Sequence, residues 1–148
     1  MNENDDVKCI WAGTGDMLEE IQEKINDSIF KDRVIMTGVR NDIDFLLQGF
    51  DSFLFPSLWE GLPVSLIEAQ ASGLPCIVSN TITKEAEVTD KVRWLGLDES
   101  DDYWSEICIS EAKRNKDNRE SDINSLKKSG YDIYETAKWL TEFYCSPK

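Results

Sequence analysis

The sequence predicts an α/β domain with a Rossmann-like, mostly parallel sheet and flanking helices. Two observations carry this prediction. Short apolar runs alternate with segments of helical periodicity over residues 7–95, the pattern of βα repeats. Residues 100–145 show helical periodicity alone. We therefore expect one domain over 1–148, with an α/β core at 7–95 and C-terminal helices at 100–145.

Five strands are expected, each an apolar run bounded by turn residues. In chain order they occupy residues 8–12, 33–37, 52–55, 76–79 and 92–95. The first run is expected to be a buried strand. Two of the four cysteines, Cys9 and Cys76, lie within such runs and are expected to be buried, reduced thiols.

The helices are predicted from apolar residues that recur at intervals of three and four. They are expected at 16–26, after Asp42, at 63–72, from residue 100 or 101, from 121 or 122 as far as Gly130, and after Asp132. The charged run 113–122 is expected to be a solvated helix end and linker. In the last helix, core packing is the expected role of Trp139, Phe143 and Tyr144.

Composition excludes several classes of function. The net charge is −13, so binding of nucleic acid, which requires basic residues, is not expected. No polybasic patch suits an anionic membrane, and no apolar run approaches the ~20 residues that span a bilayer. The first six residues are polar and acidic, unlike a signal peptide. We expect a cytoplasmic chain that makes no membrane contact itself.

The absence of histidine limits the chemistry further. Without histidine, a Ser-His-Asp triad, histidine acid–base catalysis and histidine-ligated metals are excluded for this chain. The cysteines are scattered and form no Cys-x-x-Cys pair, so a zinc site is not expected either. We predict that the chain uses no metal.

The most informative segment is 56–75, which reads PSLWEGLPVSLIEAQASGLP. It joins a strand to a helix through Gly61, and Pro63 suits the first helical position. The N-terminus of a helix offers free N–H groups and a positive dipole end, which is a site for phosphate or diphosphate. Glu68, within the helix, could then hold a ribose diol beside that phosphate, as carboxylates commonly do in nucleotide-binding α/β folds.

This segment resembles the donor-binding core of the family 4, or group 1, retaining glycosyltransferases, which have the GT-B fold. The shared pattern is P-S-x-x-E-G-x-P-x-x-x-x-E-A-x-A-x-G-x-P. A bare pair of acids such as Glu60 and Glu68 would more often be two solvated side chains, since the chain has 29 acidic residues. The resemblance extends over residues 8–144 and implies the C-terminal half of such an enzyme.

The resemblance also implies a reaction and its substrates. The donor would be a nucleotide-diphosphate sugar, a UDP-sugar being favoured, and no other cofactor is implied. A hexose-type sugar would pass to an acceptor hydroxyl, with retention at the anomeric carbon. The acceptor would be a sugar or a lipid-linked sugar, and bacterial capsule, exopolysaccharide or lipopolysaccharide assembly is the usual setting.

The resemblance assigns roles to residues of the segment. Glu60 would face the donor sugar or its phosphate and is the candidate catalytic residue, and Glu68 would orient the ribose. The backbone at the helix start would stabilise charge on the leaving diphosphate. The residues concerned are Gly61, Leu62, Pro63, Val64 and Ser65.

Two further turns are candidate parts of the donor site. Gly13 follows the first strand but lacks the third glycine of a dinucleotide fingerprint, so by itself it indicates only a tight turn. The loop after the second strand would flank the base in the resembling enzymes, with the Val39 backbone on the base edge and Arg40 stacked on the base or near phosphate. A surface arginine beside Asp42 and Asp44 is the alternative for Arg40.

The chain departs from the family pattern in one respect. The strand that opens the donor domain, an Arg and a Lys that clamp the diphosphate, and the N-terminal acceptor domain would all precede Met1. We therefore expect a remodelled sheet, or a sheet completed by a partner. The alternatives are a non-catalytic subunit or an inactive fragment that needs a separate acceptor-domain polypeptide. An acidic receiver-type module is disfavoured, because Asp51 precedes its strand instead of following it.

Overall fold

A computed structural model describes residues 7–117 and 119–146 of the chain. It contains two compact units, Met1–Phe45 and Leu46–Lys148, which are described separately. The strand pairings within each unit are all parallel, as predicted.

The first unit is built on two strands, β1 (Cys9–Ala12) and β2 (Val34–Gly38). Helix α1 (Leu18–Asn26) connects them. A register shift at the end of β1 places Ala12 opposite Gly38. Helix α2 (Ile43–Gly49) follows and spans the boundary between the units.

Strand β1 is not buried, so that expectation is wrong. Ile10 is 36% exposed and Trp11 is 49% exposed, and Cys9 is exposed as well. The physical reason lies in the size of this unit: β1 and β2 form a two-stranded sheet, and α1 contributes no buried residue to cover it. An apolar run shows which residues favour burial but does not supply the element that covers them.

The second unit contains the sheet β3 (Phe53–Phe55), β4 (Cys76–Ser79) and β5 (Val92–Leu95), in that order. The bounds of β4 and β5 match the predicted ones. Helix α3 (Val64–Ala71) connects β3 to β4 and ends at Gly73, which adopts a positive φ of 74°. A short 3-10 turn, Lys84–Ala86, lies between β4 and β5 and was not predicted.

The core of the second unit forms between α3 and β4. All four residues of β4 are buried, as expected for the central strand of a parallel sheet. From α3, Leu66, Ile67 and Ala69 are buried, each at most 6% exposed. This packing fixes which face of α3 points away from the core.

Three helices complete the chain: α4 (Asp101–Asn115), α5 (Ile123–Lys128) and α6 (Ile133–Cys145). Each has a side-chain N-cap, and the prediction included all three capping residues. Ser100 accepts a hydrogen bond from Tyr103 N–H, and Asp122 and Asp132 cap the next two helices in the same way. No helix among the described residues is long and apolar enough to cross a bilayer.

The prediction that the aromatic residues of α6 pack in the core is wrong. Trp139 is 59% exposed, Phe143 63% and Tyr144 78%. These rings contact one another instead, with Trp139 and Phe143 stacked at 5.4 Å between centroids. An amphipathic pattern predicts a helix face that favours burial. It does not identify the surface that would cover that face.

Arg119, in the predicted linker 113–122, is not simply solvated. The Arg119 guanidinium donates to four backbone carbonyls, those of Leu47, Gln48, Phe50 and Ser72, at 2.6–2.9 Å. These carbonyls lie at the C-terminal ends of α2 and α3, where intrahelical partners are lacking and the dipole favours a cation. Arg119 therefore ties two helix ends together.

Burial of Cys76 gives a testable prediction. Desolvation raises the pKa of its thiol to about 12, partly offset by the charge of Lys91. At about pH 8, where a free thiol is partly ionised, Cys76 should stay protonated and resist iodoacetamide, because only the thiolate reacts. Exposed Cys145 should be alkylated under the same conditions. Peptide mass spectrometry of native and urea-unfolded chain checks this, and equal labelling of both cysteines in the native chain would contradict it.

Candidate functional site

The N-terminus of α3 has no side-chain cap. Pro63 occupies the N-cap position with an extended backbone, φ −76° and ψ 98°, and donates no N–H. The sequence predicted Pro63 as the first helical residue, whereas the helix begins one residue later, at Val64. Leu66 and Ile67 donate to the Pro63 carbonyl, while the N–H groups of Val64 and Ser65 have no acceptor among the described residues. Two donors and the positive end of the helix dipole remain available to an anion.

Glu68 lies on the exposed side of α3. Its neighbours Ile67 and Ala69 are buried against the sheet, whereas Glu68 and Val64 are both exposed. Residues four apart share one face of a helix, so Glu68 stands above the helix start, about 6 Å along the axis from Val64. Glu68 therefore shares the exposed face of α3 with Val64, the first residue of the helix.

Glu60 is half-buried and held by a neighbour in the loop. The Ser57 hydroxyl donates to Glu60 Oε1 at 2.7 Å and also lies 3.4 Å from the Trp59 carbonyl. The shorter contact, to a carboxylate, is the stronger of the two. Glu60 is thereby fixed just before the helix start.

The backbone of Ser57 is itself held by β4 and the loop after it. The Ser57 carbonyl accepts hydrogen bonds from the hydroxyls of Ser79 and of Thr81, the latter at 3.0 Å. The two hydroxyls are 3.0 Å apart. The loop after β3 is therefore attached to the end of β4 by side chains that are distant in sequence.

A second polar network fixes α3 from inside the core. The Gln70 side chain is 0% exposed and donates to the carbonyls of Leu66 and Ala86, the latter at 2.7 Å. Its Oε1 accepts from the N–H groups of Val88 and Thr89 and from the Thr89 hydroxyl. A buried amide satisfied in this way keeps the helix, and with it Glu68, in a single position.

The remaining predicted site residues belong to the first unit. Gly13, with φ 146°, donates its N–H to the Gly38 carbonyl at 2.9 Å. This bond joins the turn that follows β1 to the last residue of β2. Val39, in the turn after β2, is 71% exposed. Gly13 and the Val39 loop thus share one edge of the two-stranded sheet.

Arg40 is engaged by Asp42. Its Nε and Nη2 donate to the two carboxylate oxygens at 2.8 and 2.5 Å. The hydrogen bond and the charge of Asp42 raise the pKa of Arg40, and the hydrogen bond from Arg40 lowers the pKa of Asp42. This is the surface-pair alternative foreseen from the sequence. A ligand would have to compete with Asp42 for the guanidinium.

The structure thus brings together Glu60, the helix start at 61–65 and Glu68 within the second unit. Gly13, Val39 and Arg40 gather separately within the first. In the described part of the chain, no group of three acidic, cysteine or histidine side chains is arranged to hold a metal ion.

Sequence reasoning missed the hydrogen-bonding roles of Ser79, Thr81, Gln70 and Arg119. The one local signal was Gln70, a polar residue on the side of α3 whose neighbours Leu66 and Ala69 are apolar. Buried polar residues in such a position usually have partners. Nothing local distinguishes Ser79, Thr81 or Arg119, because their partners are distant in sequence.

Comparison with known families decides the identity of the fold. The family profile described as glycosyl transferases group 1 matches residues 1–110. The chain belongs to the group 1 glycosyltransferases. This membership confirms the resemblance carried by the Glu60–Glu68 segment and removes the receiver-type alternative.

Curated relatives agree with this membership. The protein of Bacillus subtilis (strain 168) with the name "Putative glycosyltransferase EpsF" is 37% identical over 138 residues, which cover 93% of this chain and 36% of EpsF. The UDP-Gal:alpha-D-GlcNAc-diphosphoundecaprenol alpha-1,3-galactosyltransferase of Escherichia coli is 45% identical over 76 residues, or 51% of this chain and 20% of that protein. The chain spans about a third or less of the length of these relatives.

Solved glycosyltransferase structures share the GT-B fold of this chain. The lipopolysaccharide outer core galactosyltransferase WaaB, in its apo form, aligns with a TM-score of 0.68 at 19% identity, over 95% of this chain and 41% of WaaB. The pneumococcal O-GlcNAc transferase GtfA, in complex with UDP and GlcNAc, aligns with a TM-score of 0.61 at 19% identity, over 90% of this chain and 28% of GtfA. The predicted α/β, Rossmann-like fold class is confirmed.

Proposed function

We propose that this chain is the donor-binding half of a retaining glycosyltransferase. It binds a nucleotide-diphosphate sugar, with a UDP-sugar favoured, and supports transfer of a hexose-type sugar to an acceptor hydroxyl. The acceptor is a sugar or lipid-linked sugar held by another domain or chain. The setting is bacterial capsule, exopolysaccharide or lipopolysaccharide assembly on the cytoplasmic side.

One observation carries the proposal: an uncapped helix N-terminus follows a carboxylate held by a hydroxyl, Glu60, and the same helix carries an exposed carboxylate, Glu68. The free N–H groups of Val64 and Ser65 suit a diphosphate, whose charge they stabilise as it leaves. Exposed Glu68 is free to accept hydrogen bonds from the two hydroxyls of a ribose. Glu60, held by Ser57 just before the helix start, faces the sugar.

The relatives support the choice of donor and acceptor. The E. coli relative is named for a UDP-Gal donor and a diphosphoundecaprenol-linked acceptor, and GtfA was solved with UDP. By the resemblance, we also propose that Val39 and Arg40 contact the base of the nucleotide and that the Gly13 turn lies near the donor. A metal ion is not required, because the helix start supplies the positive charge that a diphosphate needs.

Calorimetric titration of the chain with UDP, GDP, ADP and the matching nucleotide sugars tests the proposal. We expect one nucleotide to bind saturably and Glu68→Ala to weaken it about tenfold to a hundredfold, the effect of losing hydrogen bonds to a charged acceptor. Glu106→Ala, which removes another exposed helical glutamate, is the matched control and should change nothing.

Two outcomes would contradict the proposal. One is the absence of binding at millimolar ligand by a wild-type chain shown to be folded by circular dichroism. That result would favour a subunit or fragment that needs a partner. The other is equal binding by wild type and the Glu68→Ala variant, which would move the ribose site elsewhere.

A further inference from the structure

Three hydroxyl groups connect Glu60 to the sheet. Ser57 lies just beyond the end of β3, Ser79 is the last residue of β4, and Thr81 follows two positions later. Ser79 and Thr81 donate to the Ser57 carbonyl, and the Ser57 hydroxyl donates to Glu60 Oε1. The contacts form a chain, from the buried end of β4 to a carboxylate at the candidate site. We call these three residues the hydroxyl relay.

The polar groups of the hydroxyl relay have hydrogen-bond partners. A carbonyl oxygen has two lone pairs, and the Ser57 carbonyl accepts from two hydroxyls. Ser79 is 0% exposed, so its hydroxyl needs a partner, and this carbonyl provides one. The Ser57 hydroxyl has one hydrogen, and its shorter contact is the one to Glu60 Oε1.

The loop around Glu60 has little packing to hold it otherwise. Leu58 is 76% exposed and Trp59 is 79% exposed, so the side chains that precede Glu60 contribute almost no burial. An exposed loop samples many conformations, and fixing it costs conformational entropy. A catalytic carboxylate must contact the transition state in one orientation. It does so more effectively when its loop is already ordered before the ligand binds.

We propose that Ser57, Ser79 and Thr81 are positioning residues that hold the Glu60 carboxylate towards the donor sugar. The role of Glu60 at the donor sugar rests on the proposed function. The contacts of the hydroxyl relay rest on the hydrogen bonds alone. Ser57 acts directly on Glu60. Ser79 and Thr81 act through the Ser57 backbone.

The first experiment measures the relay without any ligand. ¹⁵N relaxation of the full chain gives the order parameter of the Glu60 amide for wild type, Ser57→Ala, Ser57→Thr, Thr81→Val and Thr81→Ser. We expect Ser57→Ala and Thr81→Val to lower the order parameter, and the two variants that keep a hydroxyl to stay near wild type. Ser110→Ala removes a hydroxyl that bonds within α4 and is the matched control. Unchanged order parameters in both hydroxyl-free variants would overturn the relay.

The second experiment measures the role of the hydroxyl relay in donor binding. Affinities for UDP-galactose and for UDP are compared in the same variants. Because Glu60 faces the sugar, Ser57→Ala should weaken UDP-galactose about tenfold and Thr81→Val about threefold, with UDP unchanged, and Ser57→Thr should restore binding. Equal losses for both ligands, or no loss for either, would overturn the positioning role. Failure of the wild-type chain to bind either ligand would refute the proposed function, while the relaxation measurement would still decide the relay.

Discussion

Replacing Gln70 by leucine is expected to lower the free energy of unfolding by about 3–5 kcal/mol. Leucine is close to glutamine in volume, so packing is largely kept, but the amide network is lost. The N–H groups of Val88 and Thr89 and the carbonyl of Ala86 would stay buried without partners. Each buried, unpaired group costs on the order of 1–3 kcal/mol.

Urea denaturation followed by circular dichroism measures this change as a shift in midpoint at constant slope. Gln48→Leu is the matched control, since Gln48 lies in the same unit with an exposed side chain and should change stability by less than about 0.5 kcal/mol. Similar stability for the two variants would mean that the Gln70 network contributes nothing that leucine cannot replace. The Gln70→Leu variant should also bind nucleotide more weakly, because Gln70 holds α3 in place and α3 carries Glu68.

Gly73→Ala is expected to destabilise the chain by about 3 kcal/mol, more than an ordinary glycine substitution. Gly73 ends α3 with a positive φ of 74°, which an L-residue adopts at a cost of about 1–2 kcal/mol. In addition, an alanine Cβ would lie 2.5 Å from the Glu120 carbonyl oxygen. Backbone would have to move, and Lys91 would lose the arrangement in which it donates to both the Gly73 and Glu120 carbonyls.

Gly130→Ala separates the two parts of this cost. Gly130 ends α5 with φ 87°, and nothing lies within 4 Å of the Cβ that alanine would add. The Gly130→Ala variant should therefore lose only the conformational part of the free energy of unfolding, about 1 kcal/mol. Thermal or urea unfolding of both variants gives the difference. If Gly73→Ala is no worse than Gly130→Ala, the close approach of segment 119–121 to the end of α3 does not contribute to stability.

Much of the local structure could be predicted from the sequence because its causes are local. The bounds of β4 and β5 follow from apolar runs between turn residues, and the ends of α3 and α5 follow from Gly73 and Gly130. Caps such as Asp132 require only a side chain within three residues of the N–H groups that it serves. These features depend on a few neighbouring residues, which the sequence displays directly.

Burial was predicted less well, because an apolar face and the surface that covers it are separate facts. The apolar run of β4 is buried, since α3 and two neighbouring strands surround it. The similar run of β1 is exposed in its two-stranded sheet, and so is the aromatic face of α6. Each segment shows the same tendency towards burial, but only β4 has an element that covers it.

The candidate site also has some features set by neighbouring residues and others set by residues distant in sequence. The sequence by itself determined the positions of Glu60 and Glu68 around a helix start, because the motif is contiguous and the helical period fixes their spacing. Only the tertiary structure decided what holds them: Ser79 and Thr81 for Glu60, and the loop at Ala86–Thr89, through Gln70, for Glu68. These contacts join residues 16 to 24 positions apart, and no local pattern encodes such pairs. They form only when folding places β4 and its following loop beside the motif.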